Sequence, residues 1–334
     1  MHPVLLSIFV LLFLSGCASP KVVRKRPTPL RKEVAGKGEY RWEAKAGWVQ
    51  PQRGSWGLPD QVRSEAREAF DAGAYADALE GLKVYKSSIA PSDPSYPETV
   101  FLMAECYYRL GDYEQAVDLY KEIYRKLKPA GDLMSRSFLR VHDMAMDYIH
   151  GNAACYFLGF SYNCPSEGIE LLVGEEGLIT EYPRLSFADD AVMEIAKHYF
   201  DRMEYPEAVP LYERLIREYP ESEWRSPAEY QLALSIFKQI RGIDYDEKIL
   251  ADAERKFRQY VENNPRGPQT EDARGKQKEI REMLGEKNLR LAKFYLRESE
   301  PAAAQVYLRL VLERYTSSTA AREAREIQRQ LEKY

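Results

Sequence analysis

The chain of 334 residues has little of what catalysis or cross-linking usually requires. Its four cysteines are too few for a disulfide scaffold and lack the paired spacing of a zinc site. Of its four histidines, the usual general bases of enzymes, His142, His150 and His198 stand at no metal-ligand spacing from a carboxylate or a cysteine. A net charge of -4 gives no sign of the concentrated basic surface that nucleic-acid-binding proteins carry.

Catalytic signatures are missing as well. The chain contains no Gly-x-Ser-x-Gly elbow, no phosphate-binding Gly-Lys-Ser/Thr loop and no His-Glu-x-x-His zinc motif. Hydrophobic residues make up 45% of the chain and charged residues 30%, which is typical of a soluble globular protein. The sequence therefore predicts a non-enzyme with no cofactor, no catalytic residue and no metal site.

The N-terminus carries a targeting signal. Residues 4–14 form an eleven-residue apolar run, which is too short to span a bilayer and has the length of a signal-peptide core. The following Leu14-Ser15-Gly16-Cys17 resembles the lipobox of bacterial lipoproteins, which implies a signal peptide over 1–16 and acyl chains, including palmitate, on Cys17. An ordinary signal peptide that happens to contain a cysteine is the alternative.

The residues around this site predict the compartment. Ala18 and Ser19 include no Asp, the inner-membrane retention signal of enterobacterial lipoproteins, so the resemblance implies a lipid anchor on the periplasmic face of the outer membrane. Because the periplasm is oxidising, Cys155 and Cys164, nine positions apart, could form a disulfide. The alternative is that they stay buried free thiols.

A basic, Pro- and Gly-rich segment over 17–57 follows the signal peptide. Ten bases against three acids give it a net charge of +7, and three of the four tryptophans, Trp42, Trp48 and Trp56, lie in it. One interpretation is a flexible tether whose basic start lies near anionic headgroups. The other is that residues 40–57 dock on the folded domain or on a partner, because disordered linkers rarely carry such large rings.

Residues 58–334 have the pattern of a helical repeat protein. Ala78, Ala116 and Ala208 lie in the similar frames GAYADAL, GDYEQAVDLY and MEYPEAVPLY, and the first two are 38 residues apart. These frames resemble tetratricopeptide repeats, in which a small Ala lets two helices approach and a Tyr fills the space in the next turn. The predicted fold is an all-α superhelical solenoid of five to six helix pairs, with no β-strand.

The repeats are not uniform. The third is stretched, with helices expected over 133–149 and 167–182 around an irregular segment, and residues 319–334 are expected to form a capping helix. We divide the solenoid into N-terminal repeats over 58–220 and C-terminal repeats over 221–334.

One face of the first helix of each repeat is a candidate peptide-binding groove. In tetratricopeptide repeats this face lines the concave side, and here each copy places an aromatic residue among charges of both signs, a pattern suited to an extended peptide. The alternative is that these rings pack on the neighbouring repeat. The candidate groove residues are Arg67, Phe70, Phe101, Glu105, Tyr108, Arg109, Met193, Lys197 and Phe200.

The segment 151–164, GNAACYFLGFSYNC, is too apolar for an ordinary exposed loop. It either folds back into the solenoid or contacts a partner or the membrane surface.

The region 222–315 resembles the BamD family, the lipoproteins of the outer-membrane β-barrel assembly machine. The stretches RGIDYDEKILADAERKFRQYVENNPRGPQTEDA and MLGEKNLRLAKFYLRESEPAAAQVYLRLVLERY carry the resemblance. It implies a scaffold whose C-terminal repeats bind the barrel-inserting protein and whose N-terminal groove receives unfolded barrel substrates. The residues it implies for the partner are Arg241, Asp244, Tyr245, Asp246, Tyr295 and Arg297. The alternative is another periplasmic repeat adaptor lipoprotein, Tol-associated, pilotin-like or peptidoglycan-linked.

Overall fold

A computed structural model describes residues 21–24, 41–43, 47–49, 59–157, 160–240, 242 and 247–331. The chain divides into two compact units, Met1–Tyr182 and Pro183–Tyr334. This division lies before the boundary at residue 220 that we drew between the two groups of repeats. Both units are built from paired helices, so the predicted all-α tetratricopeptide-repeat fold is confirmed.

The first unit contains seven helices within the described residues. They are α1 (Pro59–Asp71), α2 (Tyr75–Ser88), α3 (Tyr96–Leu110), α4 (Tyr113–Lys121), α5 (Leu133–Ile149), α6 (Pro165–Val173) and α7 (Leu178–Glu181). A π-helical segment, Glu122–Leu127, continues α4.

The turn between α3 and α4 shows how residues of the repeat end one helix and begin the next. Gly111 adopts a left-handed conformation with φ of 82°, which is open to glycine at little cost, and its N–H donates to the carbonyls of Tyr107 and Tyr108. The next residue, Asp112, accepts a hydrogen bond from the Gln115 N–H at 3.3 Å and caps α4. The chain therefore reverses within two residues and lays α4 against α3.

The consensus positions fill the core as predicted. Ala78, Ala116 and Ala208 are fully buried, and so are Tyr120 and Tyr212 one turn further along their helices. Small and large side chains thus alternate at the contacts between helices, which gives close packing.

The stretched third repeat departs from expectation in its second half. A helix spans Leu133–Ile149 as predicted, but the helix expected over 167–182 is divided into α6 and α7. The chain is extended at Gly174, and a side chain at Gly177 would collide with the carbonyl of Leu172. The close approach of backbone at this point breaks the helix.

The prediction that the chain has no strand is wrong. Strands β1 (Lys21–Arg24), β4 (Ala153–Phe157) and β5 (Phe160–Tyr162) form an antiparallel sheet in the order β1-β4-β5. Strands β2 (Arg41–Glu43) and β3 (Gly47–Val49) form a separate hairpin in which Trp42 lies opposite Trp48.

The second unit contains α8 (Ala188–Asp201), α9 (Tyr205–Glu218), α10 (Arg225–Lys238), α11 (Glu247–Asn263), α12 (Thr270–Arg297), α13 (Pro301–Arg314) and α14 (Thr319–Leu331). Gly285 in the long α12 allows a close approach, because a Cβ there would lie 2.9 Å from the Ser318 hydroxyl. Helix α14 buries Ala320, Ala321 and Ala324 in a cluster with α12 and α13, as expected of a capping helix.

Candidate binding surfaces

An open cavity of about 390 Å³ lies in the first unit, between the first three helices. It contains one of the predicted groove residues, Arg67, and a second arginine, Arg63, one turn before it on α1. The residues that line it are Asp60, Arg63, Ser64, Arg67, Glu68, Leu82, Glu98, Thr99 and Leu102.

Glu98 on α3 joins the two arginines of this cavity. Its carboxylate accepts from Arg63 Nη2 at 2.8 Å and from Arg67 Nη1 at 2.7 Å. Partial burial opposes the charged carboxylate, but the hydrogen bonds and charges of Arg67 and Arg63 outweigh it and lower the pKa of Glu98. Two guanidinium groups therefore share one carboxylate and retain donors for a ligand.

Two of the predicted aromatic anchors are buried, which corrects the expectation of an exposed ladder. The Phe101 side chain is only 2% exposed, with the Tyr120 ring 5.7 Å away and the Arg136 guanidinium 4.3 Å from its centre. Tyr108 is 7% exposed and stacks on Tyr113. Both rings pack within the repeats, the alternative that the sequence left open.

Glu105 is also interior and does not line a groove. Its carboxylate accepts from the Tyr120 hydroxyl and from Arg140 Nε, both at 2.7 Å. Burial acts to lower the pKa of Arg140, but the Glu105 carboxylate more than compensates, and the pKa is raised. The Glu105 carboxylate is turned inward because it forms an ion pair with Arg140 of α5.

The other predicted groove residues lie nearer the surface. In the first unit Phe70 is half-buried edge-on against Tyr75, and Arg109 is exposed. In the second unit Lys197 is exposed, while Met193 and Phe200 are half-buried.

An aromatic cluster on the second unit contains one of the predicted partner residues. Tyr295 of α12 stacks on Tyr307 of α13 with ring centroids 5.4 Å apart. Phe294, 5.4 Å from Tyr295, is 45% exposed, a large fraction for a phenylalanine ring. We call Phe294, Tyr295 and Tyr307 the aromatic patch; predicted Arg297 is exposed at the end of the same helix.

The other predicted partner residues, Arg241, Asp244, Tyr245 and Asp246, lie outside the described residues. Helix α11 begins directly after them in the chain, at Glu247, whose carboxylate lies 3.9 Å from Lys287 Nζ on α12. Burial, Tyr295 and the charge of Glu247 together raise the pKa of Tyr307, which places Glu247 within electrostatic range of the aromatic patch. The start of α11 and the aromatic patch therefore lie near each other.

Sequence reasoning missed three residues of these surfaces. Phe294, Tyr307 and Arg63 were not among the candidate residues, although Arg63 shares a helix face with Arg67. The adjacent pair Phe294-Tyr295 was the available signal, because two neighbouring rings on a helix point in directions about 100° apart and cannot both be buried against one partner.

The structure pairs Cys155 with Cys164 in a disulfide, with Cα atoms 5.9 Å apart, and Cys106 is a buried thiol. Cys17 and the signal peptide lie outside the described residues. Across the ranges that the structure describes, no three His, Cys, Asp or Glu side chains are placed to hold a metal ion. In the same ranges, every helix is too short or too polar to cross a bilayer.

Two family models match the chain. Residues 176–334 match the model of YfiO (BamD-family), described as outer membrane lipoprotein, and residues 98–126 match the model of a tetratricopeptide repeat. Both families are typically non-catalytic scaffold or repeat proteins. The search of curated proteins returned no match.

Solved structures similar to this chain include several repeat proteins. The C-terminal part of a tetratricopeptide repeat-containing protein from Cytophaga hutchinsonii is 11% identical, with 81% of this chain and 88% of that chain covered and a TM-score of 0.34. The TPR2AB domain of yeast Sti1 in a complex with pHSP90 is 14% identical, with 81% of this chain and 84% of that chain covered and a TM-score of 0.28. The type IV pilus biogenesis factor PilW is 13% identical, with 80% and 99% covered and a TM-score of 0.26.

The part of the chain that carries the aromatic patch is thus similar to the YfiO family of outer membrane lipoproteins. Together the two family matches fit a tetratricopeptide-repeat protein whose C-terminal part is similar to a family of outer membrane lipoproteins.

Proposed function

We propose that this protein is a non-catalytic scaffold of the outer-membrane β-barrel assembly machine, anchored by acyl chains on Cys17 at the periplasmic face. Its C-terminal repeats bind the barrel-inserting protein, and its N-terminal repeats bind the C-terminal signals of unfolded barrel substrates. The observation that carries the proposal is the exposed aromatic patch inside the segment that matches the YfiO family.

The aromatic patch has the composition of a protein-binding surface. Aromatic side chains dominate the energetics of interfaces, because each covers a large apolar area with few rotatable bonds. Arg297 lies three residues after Phe294 and supplies a polar, charged rim. The predicted partner residues between Arg241 and Asp246 directly precede Glu247 in the chain.

The charged cavity of the first unit is the proposed substrate site. An unfolded barrel signal is extended and ends in an aromatic residue with a free carboxylate. That carboxylate would compete with Glu98 for the guanidinium groups of Arg63 and Arg67, which lie on either side of it. Leu102, half-buried in the lining, offers apolar contact to the terminal ring.

The direct test is purification of the tagged protein from its own envelope in mild detergent, followed by mass spectrometry of what accompanies it. The proposal predicts recovery of a barrel protein with repeated periplasmic domains. Recovery of Tol, pilus or cell-wall components in its place would contradict the proposed function, although the assigned fold would stand. Fractionation of Cys17→Ala tests the anchor separately: the variant is expected to leave the outer membrane.

A further inference from the structure

The hairpin β4–β5, next to the Cys155–Cys164 disulfide, exposes two aromatic side chains on its edge strand. Strand β5 pairs with β4 on one side only, and Phe160 and Tyr162 on it are 79% and 45% exposed. Alternate residues of a strand share a face, so both rings lie on the same side of the sheet. Strand β4 by contrast is anchored in the unit, since Ala153, Ala154 and Cys155 are buried. The hairpin therefore holds an exposed aromatic pair on a fixed support.

The N-terminal segment pairs with this same hairpin. Lys21 of β1 lies opposite Tyr156 of β4, and Tyr156 lies opposite Ser161 of β5. Because β1 runs antiparallel to β4, its first residue, Lys21, lies towards the end of the sheet where Phe157 lies opposite Phe160. The N-terminal end of β1 and the exposed Phe160 are thus at the same end of the sheet.

Only three residues separate Cys17 from β1. A fully extended chain spans at most about 3.6 Å per residue, so the Cys17 Cα lies within about 14 Å of the Lys21 Cα. Adjacent strands are about 4.8 Å apart, which puts β5 roughly 10 Å from β1. Acyl chains on Cys17 would therefore keep Phe160 within about 24 Å of the membrane anchor, so the exposed rings of β5 can reach the bilayer surface.

The chemistry of this region suits a lipid surface. Four bases, Lys21, Arg24, Lys25 and Arg26, lie within nine residues after the anchor, and clustered bases near a membrane are attracted to anionic headgroups. Tyrosine rings are enriched at the membrane–water interface, and phenylalanine is common on the apolar face of elements that bind there. An edge strand of three residues, in turn, offers few backbone hydrogen bonds to an added protein strand.

We propose that the hairpin Ala153–Tyr162 is a membrane-contact element that inserts Phe160 and Tyr162 into the headgroup region of the bilayer that holds Cys17. The proposal rests on the lipid anchor assigned under the proposed function. The anchor supplies attachment, while the hairpin and β1 fix the first unit against the membrane, so that its orientation does not depend on the length of the tether.

The test uses the full lipidated protein in vesicles of phosphatidylethanolamine and phosphatidylglycerol. A single cysteine is introduced as Phe160→Cys and labelled with an environment-sensitive fluorophore, since Cys106 is buried and the Cys155–Cys164 pair is oxidised. Leu139→Cys is the matched control, an apolar residue of the same unit that is 48% exposed. Lipids that carry a nitroxide near the headgroup should quench the label at position 160 at least threefold more than the label at 139.

The possible results separate the two proposals. Wild-type protein that fails to float with the vesicles would contradict the anchor and, with it, the membrane-contact element. Protein that floats but shows equal quenching at positions 160 and 139 would overturn the membrane-contact element alone. A label at 160 that is shielded from water yet not quenched by lipid would assign the edge to a protein partner or a second copy, and would also overturn it. As a second readout, Phe160→Ala with Tyr162→Ala in unlipidated protein that lacks residues 1–17 should reduce binding to these vesicles several-fold.

Discussion

Tyr295 and Tyr307 stack almost parallel, with 9° between their ring planes, and join α12 to α13. Their contact holds the neighbouring Phe294 at the surface, because one side of the helix is already occupied by the stacked pair. A rigid pair beneath an exposed ring is the arrangement expected of an interface anchor.

Phe294→Ala is expected to weaken co-purification of the barrel-inserting protein at least tenfold while the melting temperature stays nearly unchanged. Truncation of an interface anchor costs about 2 kcal/mol or more of binding free energy, whereas exposed substitutions change stability by about 0.5 kcal/mol. Val306→Ala is the control, since Val306 is 64% exposed on α13 outside the patch. Equal loss in both variants would reject a specific role for Phe294.

Arg63→Ala with Arg67→Ala is expected to abolish discrimination by the cavity between peptides with a free and with an amidated C-terminus. Hydrogen bonds to charged groups contribute about 1.5–3 kcal/mol, so wild type should bind a Phe-terminated peptide about tenfold or more tightly when its carboxylate is free. Titration calorimetry with the peptide pair measures this. Lys83→Ala, which removes an exposed pair with Glu80, should leave the discrimination intact. If wild-type protein binds the free and the amidated peptide with equal affinity, the proposed substrate site is rejected.

Glu105→Gln should lower the free energy of unfolding by about 2–3 kcal/mol. Removal of one partner from a fully buried ion pair costs about 3–5 kcal/mol, and the smaller figure reflects that the Arg140 side chain is 32% exposed. Glu98→Gln, in the more exposed cluster with Arg63 and Arg67, should cost about 1 kcal/mol or less. Urea denaturation compares the two. Similar losses would show that the Glu105–Arg140 pair has no special structural role.

Asp77→Asn should stabilise the protein at pH 7 but not at pH 4. Burial raises the pKa of Asp77 to about 6, and its Oδ2 atom has no hydrogen-bond partner among the described residues. An unfolded Asp titrates near pH 4, so the folded chain binds more protons between about pH 4 and 6, and wild-type stability falls as the pH rises through that window. The expected gain at pH 7 is about 1 kcal/mol, discounted because the side chain is partly exposed. Urea denaturation at both pH values checks it, with the exposed Asp118→Asn as control. A gain of the same size at pH 4 would contradict the explanation.

Cys155→Ser with Cys164→Ser should lower the free energy of unfolding of the first unit by about 2–3 kcal/mol, the value for a closed loop of about ten residues. The same loss is expected when wild type is unfolded in reductant, and the double variant should then show no further change. If oxidised and reduced wild type have the same free energy of unfolding, the disulfide does not stabilise the first unit.

The repeat architecture could be predicted because its signals are local. Ala78, Ala116 and Ala208 stand in frames where a small residue, a turn and a large ring recur at fixed spacing, and each marks a helix pair without reference to the rest of the chain. For the same reason, the first and last residues predicted for helix α5 agree with those in the structure.

The sheet could not be predicted because its signal is not local. Strand β1 pairs with β4 across more than 120 residues, and strands of three to five residues give too short a pattern to separate from a loop. The sequence likewise could not decide whether Phe101 and Tyr108 are exposed or buried. The helical periodicity places each ring on the groove face, but it does not show that arginines from α5 cover the rings.

The most direct test of the scaffold role is photo-cross-linking from the aromatic patch in the native envelope. A photoreactive phenylalanine analogue replaces Phe294 in one strain and Val306 in another, and the cross-linked products are identified by mass spectrometry. The account predicts that position 294, and not position 306, cross-links to a barrel protein through its periplasmic domains. Cross-links from position 294 to Tol, pilus or cell-wall components, or the same products from both positions, would contradict it.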